Sequence, residues 1–142
     1  MGKSKSIVAF NNPDDALEVF REKLLPFVID VRGKHIDVDL GDYAHICLDH
    51  PEMRPRVLWI EETLKNPEEI RKHPDAGKFF REIYLNRIYK NESDVESTWH
   101  IVVVDARPFS KLWTSFIPAN LDYINTIQTR GKLIWSSKMS TR

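Results

Sequence analysis

Residues 99–117 read WHIVVVDARPFSKLWTSFI. Trp99–Asp105 is short, apolar and rich in β-branched residues, which predicts a strand. Ala106-Arg107-Pro108 predicts a turn, and Lys111–Ile117 a second strand. Working outward, Phe79–Tyr89 (FFREIYLNRIY) predicts a strand that reaches Trp99 through a turn at Asn91-Glu92-Ser93-Asp94. Lys132–Ser136 predicts a fourth. Strands joined by short links, with no helix between them, imply an antiparallel meander.

The half before this block carries helix punctuation. Asn12-Pro13-Asp14-Asp15 and Asn66-Pro67-Glu68-Glu69 each set Asn at an N-cap and Pro at the first helical position. The first predicted helix carries Ala16, Leu17, Val19, Phe20 and Leu24, and Pro26 stops it. The second is short, ending before Pro74. Between them, Phe27–Val31 and Ile36, Val38 and Leu40 flank Arg32-Gly33-Lys34, which predicts a hairpin or extended connection. Asp49-His50-Pro51-Glu52 has the spacing of a capping box. Pro55 would break a helix begun there, so Pro51 closes a turn and Pro55 opens the helix of Val57, Leu58, Ile60 and Leu64. His45 then precedes that helix, and Arg54 and Arg56 sit at its start.

Helices first and strands later give an α+β class: N-terminal helices packed on a roughly four-stranded antiparallel sheet. A length of 142 residues suits one domain, with residues 1–40 as an N-terminal helix and extended segment. Zero net charge argues against a non-specific polyanion binder. The charge is nevertheless uneven. From residue 106 onward, Arg107, Lys111, Arg130, Lys132, Lys138 and Arg142 face a single acid, Asp122. The lone cysteine, Cys47, allows no internal disulfide and fits a reducing cytoplasm. Its setting, Ile46-Cys47-Leu48, suggests an inert thiol. No apolar run spans a bilayer, so no membrane partner is expected. MGKSKS matches a loose myristoylation pattern and reads as a polar tail.

The chemistry concentrates in residues 45–56, HICLDHPEMRPR. His45, Asp49 and His50 are conceivable metal ligands. Histidines five apart lie about 140° apart on a helix, which a metalloprotease pair cannot use. No metal or cofactor is therefore expected. The five glycines are scattered, which removes support for a phosphate-cradling loop. Acid–base chemistry remains. A histidine titrates nearest neutral pH, and an arginine fork holds a phosphate and stabilises its added charge. Such groups suffice to cleave RNA by attack of the neighbouring 2′-hydroxyl. Thr114 and Ser115 could orient the phosphate. Positive charge at a helix start opposes the helix dipole, which favours a use for Arg54 and Arg56 beyond solvation.

The order of motifs is distinctive. AHICLDHPEMRPRVLWIEETLKNPEEI, FFREIYLNRIY, WHIVVVDARPF, LWTSFIP and GKLIW together resemble a family of small bacterial and phage-associated proteins grouped with the barnase, EndoU, colicin and RelE-type nucleases. The resemblance covers roughly residues 43–136. It rests on His45 with a following arginine, on Glu62-Thr63-Leu64 with Pro67 to Ile70, and on Tyr84. It rests also on Val102–Val104, on Thr114-Ser115-Phe116, and on Gly131, Lys132 and Trp135. Ser115 departs mildly from the small residue, often Ala, usual at that place, and residues 1–40 lie outside the motifs.

The resemblance implies an active face on the sheet and metal-independent ribonuclease chemistry. His45 would be the acid or base, with His50 as second choice. Arg56 and Arg54 would hold the scissile phosphate, with Thr114 bonded to one of its oxygens. Arg81, Ser115 and Lys132 would bind substrate, and Tyr84 and Trp135 would stack bases. RNA is the expected partner, with a protein inhibitor a further candidate. The alternative expectation is a catalytically idle RNA- or protein-binding module on the same fold.

Overall fold

The computed structural model describes residues 9–78, 80–89 and 97–138. The expected turn at Asn91–Asp94 and the MGKSKS tail lie outside these residues. Asn12 caps a 3-10 turn, Pro13–Asp15, by accepting from the Asp14 N–H. That turn leads into α1 (Ala16–Leu24), whose Ala16, Phe20 and Leu24 are buried at helical spacing. β1 (Phe27–Ile29) and β2 (His35–Asp37) form the expected antiparallel hairpin. Gly33 turns it at a φ of 84°, a left-handed conformation suited to glycine.

Two expectations fail next. Leu40 does not continue the hairpin. It opens α2 (Leu40–Asp49), so His45 lies inside a helix rather than before one. The cause is a capping box: the Asp39 carboxylate accepts from the Asp42 N–H, and the Asp42 carboxylate accepts from the Asp39 N–H. Asp49-His50-Pro51-Glu52 makes no side-chain cap, and Pro51–Arg56 is a 3-10 segment. This tighter winding takes up Pro55 and delivers α3 (Val57–Lys65). Asn66-Pro67-Glu68-Glu69 starts no helix. Asn66 ends α3, and Glu69–Lys72 is strand β3. β3 lies between two other strands, whose pairing outweighs the local helix signal.

β4 (Arg81–Tyr89), β5 (Ser97–Asp105) and β6 (Lys111–Phe116) form the expected meander. The fourth expected strand is β7 (Leu133–Ser136), but α4 (Leu121–Arg130) separates it from β6. Asn120 caps α4, accepting from the Asp122 N–H, and Ile124 and Ile127 are its buried residues. Among the described residues the sheet has seven strands rather than four, in the order β1-β2-β6-β5-β4-β3-β7. It is mixed, because β2 meets β6 in parallel at Asp37 and Lys111. The α+β class holds, while the sheet is wider than the motifs suggested.

Period-2 alternation divides the sheet into two faces. Tyr84, Val102, Val104 and Leu112 share the core with Phe20 and Leu24 of α1, Ile46 of α2, and Ile60 and Leu64 of α3. Ile83, Leu85, Ile101 and Val103 face the other way, against Ile124 and Ile127 of α4. We call these the covered face and the α4 face. No helix among the described residues is long and apolar enough to cross a membrane.

Candidate functional site

Strand register decides which polar residues meet. Arg81 pairs with Asp105, which pairs with Lys111; Ile83 pairs with Val103, which pairs with Thr114. Arg81 is two residues from Ile83 and so projects from the α4 face, as does Thr114. A bulge in β6 between the Val103 and Val104 pairings leaves Trp113 as the extra residue. The Trp113 ring, 40% exposed, lies under the Arg81 guanidinium, whose carbon is 4.4 Å from the ring centroid. Trp113 also meets the His45 ring, at 6.1 Å. Farther along β6, His50 stacks on Phe116 at 5.2 Å, and Phe116 meets Tyr123 of α4.

His45 and Arg81 both meet Trp113, His50 meets Phe116, and Thr114 lies between those two residues of β6. His45 is half exposed and lies 3.5 Å from the Asp49 carboxylate. His50 lies 3.7 Å from Glu52. Among the described residues, no hydrogen bond or ion pair engages the Arg81 guanidinium, and its Nε is buried. Thr114 Oγ1 is likewise buried without a partner. Buried polar groups are nearly always paired, so two orphans on one face mark it as incomplete.

The remaining expected residues lie elsewhere. Arg56 Nη1 donates to the Glu52 carbonyl, and its guanidinium lies over Phe10 and Trp59, away from Trp113. Arg54 lies beside Tyr43 and Cys47. Burial pushes the Cys47 thiol up despite Arg54, as expected for an unreactive thiol. Ser115 is fully buried on the covered face, where it donates to the Ile101 carbonyl and is bonded to His100 Nε2. Tyr84 is also fully buried, its hydroxyl donating to Asp30, so no face of the ring is open to a base. Trp135 pairs with Ile70 in the sheet and packs on the covered core. Lys132 is exposed in the link between α4 and β7. Alternation explains much of this: neighbours such as Thr114 and Ser115 must serve opposite faces.

His73 was missed by the sequence reading. It follows β3, and its N–H donates to the Arg81 carbonyl. Its side chain is 18% exposed and its Nδ1 accepts from the Asp75 N–H. Burial lowers its pKa below the ordinary histidine value; Asp75 opposes this, and Lys78 and Arg81 add to it. The available signal was parity: Arg71 and His73 are two apart, and Arg71 pairs with Ile83 on the α4 face.

Chemically, an arginine without a partner on an aromatic ring is set up to hold an oxyanion. Two imidazoles lie near it, His45 against Trp113 and His73 just after β3, and an imidazole can both take and give a proton. Among the described residues, no three His, Cys, Asp or Glu side chains cluster as metal ligands.

No curated protein and no solved structure matches the chain. A family model does match, over residues 15–136, nearly the whole described chain. It begins well before the motifs at residue 43 and takes in α1 and the β1–β2 hairpin. The chain belongs to the phage-Barnase-EndoU-ColicinE5/D-RelE like nuclease 2 family.

Proposed function

We propose that this nuclease cuts RNA without a metal, by attack of the 2′-hydroxyl on the neighbouring phosphate. The observation that carries the reading is the Arg81 guanidinium, unpartnered among the described residues and lying against Trp113. In this reading Arg81 holds the scissile phosphate and stabilises the charge that grows on its oxygens. Thr114 Oγ1 bonds one of those oxygens, and Trp113 stacks an adjacent base.

His73 is the general base. Its lowered pKa keeps it neutral at pH 7, ready to take the 2′-hydroxyl proton. His45, with Asp49 alongside, returns a proton to the leaving 5′-oxygen. His50, stacked on Phe116, steadies the strand leading away from the cut. The phosphate-holding role falls to Arg81 rather than Arg56 or Arg54, whose side chains turn elsewhere.

Incubating the purified protein with mixed RNA in EDTA tests the proposal. Fragments ending in 2′,3′-cyclic phosphate are expected. Activity that appears only with added divalent metal, or on DNA alone, would overturn it. RNA binding without cleavage would favour the idle-module alternative.

A further inference from the structure

A second cluster of orphaned donors lies away from the Arg81 site. The Arg56 guanidinium carbon sits 5.3 Å from the Phe10 ring centroid and 5.4 Å from that of Trp59. The two rings are 5.4 Å apart. Arg56 Nη1 is spent on the Glu52 carbonyl, but Arg56 Nε is buried with no partner. Trp59 is only 4% exposed, and its Nε1 is also buried with no partner. No ion pair reaches Arg56 among the described residues. The His100 ring meets Trp59 edge-on at 5.7 Å and is held neutral by burial, so it adds no second positive charge beside Arg56. Beside these groups is a cavity of about 110 Å³ whose lining includes Phe10, Arg56, Trp59, Ile88, Tyr89 and Ile117.

Each buried N–H left without an acceptor costs about 1–3 kcal/mol. Two in one aromatic cluster, both donors and one cationic, call for an acceptor of single negative charge. A planar carboxylate meets that description: two oxygens for two N–H groups, one charge for one charge. A phosphate dianion does not, because it would bring surplus charge and unmatched oxygens into walls made by Phe10, Ile88 and Ile117. Those walls suit an apolar stem. We propose that this cleft is a binding site for a monocarboxylate carried on an apolar or aromatic group. Phe10 is 51% exposed and lies against both Arg56 and Trp59, so it forms the outer wall and moves aside on entry. Asn11 anchors the backbone behind it, its N–H donating to the Pro55 carbonyl and its side chain to the Arg54 carbonyl.

The probe is benzoate, titrated into the whole ¹⁵N-labelled chain while the tryptophan indole N–H signals are followed, with acetate and inorganic phosphate as comparators. Trp59→Phe identifies the Trp59 signal by its loss. The expected result is a saturable shift of that signal with a Kd of about 1 mM or tighter, weaker for acetate and absent for phosphate. Arg56→Lys, which keeps the charge but loses the Nε–H, should weaken binding about tenfold, as expected for loss of a hydrogen bond to a charged group. Should Trp59→Phe not fold, Phe10→Ala identifies the same signal by its displacement. A Trp59 indole indifferent to benzoate overturns the site. Equal response to phosphate overturns the carboxylate assignment, and equal response to acetate overturns the apolar stem.

Discussion

The two faces of the sheet use the same residue types to opposite ends. Around Asp30 and His100 on the covered side, polar groups are wired together. Asp30 is 4% exposed and accepts from the backbone N–H groups of Arg32 and Lys34, from the Arg32 guanidinium and from the Tyr84 hydroxyl. Arg32 also bonds Glu82 at 2.8 Å. Burial works against the Arg32 charge, but Glu82, Tyr84 and Asp30 outweigh it and hold its pKa above the ordinary value. His100, fully buried, is bonded to Thr63 Oγ1 through Nδ1 and to Ser115 Oγ through Nε2. On the α4 face, Arg81 and Thr114 have buried atoms with no hydrogen-bond partner among the described residues. An arginine with its donors matched is part of the architecture; one with donors unmatched is equipped to receive something. Satisfaction, rather than residue type, separates scaffold from site.

The comparison is broken most directly at Arg81. On the proposed reading, Arg81→Ala should cut RNA cleavage by about 10²–10³-fold, as loss of a charge-stabilising donor does elsewhere. It should change the urea midpoint little, because no hydrogen-bond or ion-pair partner is abandoned and only the exposed stack on Trp113 is lost. A large loss of stability with cleavage intact would reverse the roles of the faces. Asp30→Asn makes the converse test. It removes the charge at the centre of the wired network and should cost about 3–5 kcal/mol of stability, read by urea unfolding. Cleavage by the fraction still folded should be close to that of the parent protein.

How the sequence could and could not be read follows from the same contrast. The meander was legible because Trp99–Asp105 and its neighbours combine β-branched runs with punctuated turns. His45, His50, Arg81 and Thr114 were legible as chemistry-bearing residues, and the structure sets them along or against β6. The assignment of Arg56, Tyr84 and Ser115 to the same site was not supportable from spacing. Whether a strand residue points to helix or to ligand depends on register with distant strands, which local pattern does not encode. α2 and β3 were misread for a related reason. Asp39 and Asp42 reciprocate as a cap only once the chain has left the hairpin, and β3 is made a strand by β4 and β7 on either side.

Two smaller effects sharpen the comparison. Burial, with Arg56 adding to it, pushes the His100 pKa down to about 3. The folded protein therefore refuses a proton that the unfolded chain accepts below about pH 6.5. Stability from this group is complete above that value and falls as pH drops toward 3, by about 1.4 kcal/mol per unit at most. Urea melts at pH 7 and pH 5 should show the difference, and His100→Gln should reduce the slope. On the other face, Lys78 helps depress the His73 pKa. Lys78→Ala should move the acidic limb of the cleavage profile upward by a fraction of a pH unit, toward the ordinary histidine value of about 6.5. The maximal rate should be little altered. A limb that moves down would mean that another group titrates.

The bulge at Trp113 has a consequence of another kind. Leu112 pairs with Val104 and faces the core, while Thr114, two residues on, pairs with Val103 and faces outward. In an unbroken strand, residues two apart must share a face. One surplus residue thus acts as a phase shifter, changing which letters of the strand are addressed to the interior and which to a ligand. Lineages could redraw the chemistry of this surface by gaining or losing a single codon there, while the pairings on the other side of the bulge hold the core in place.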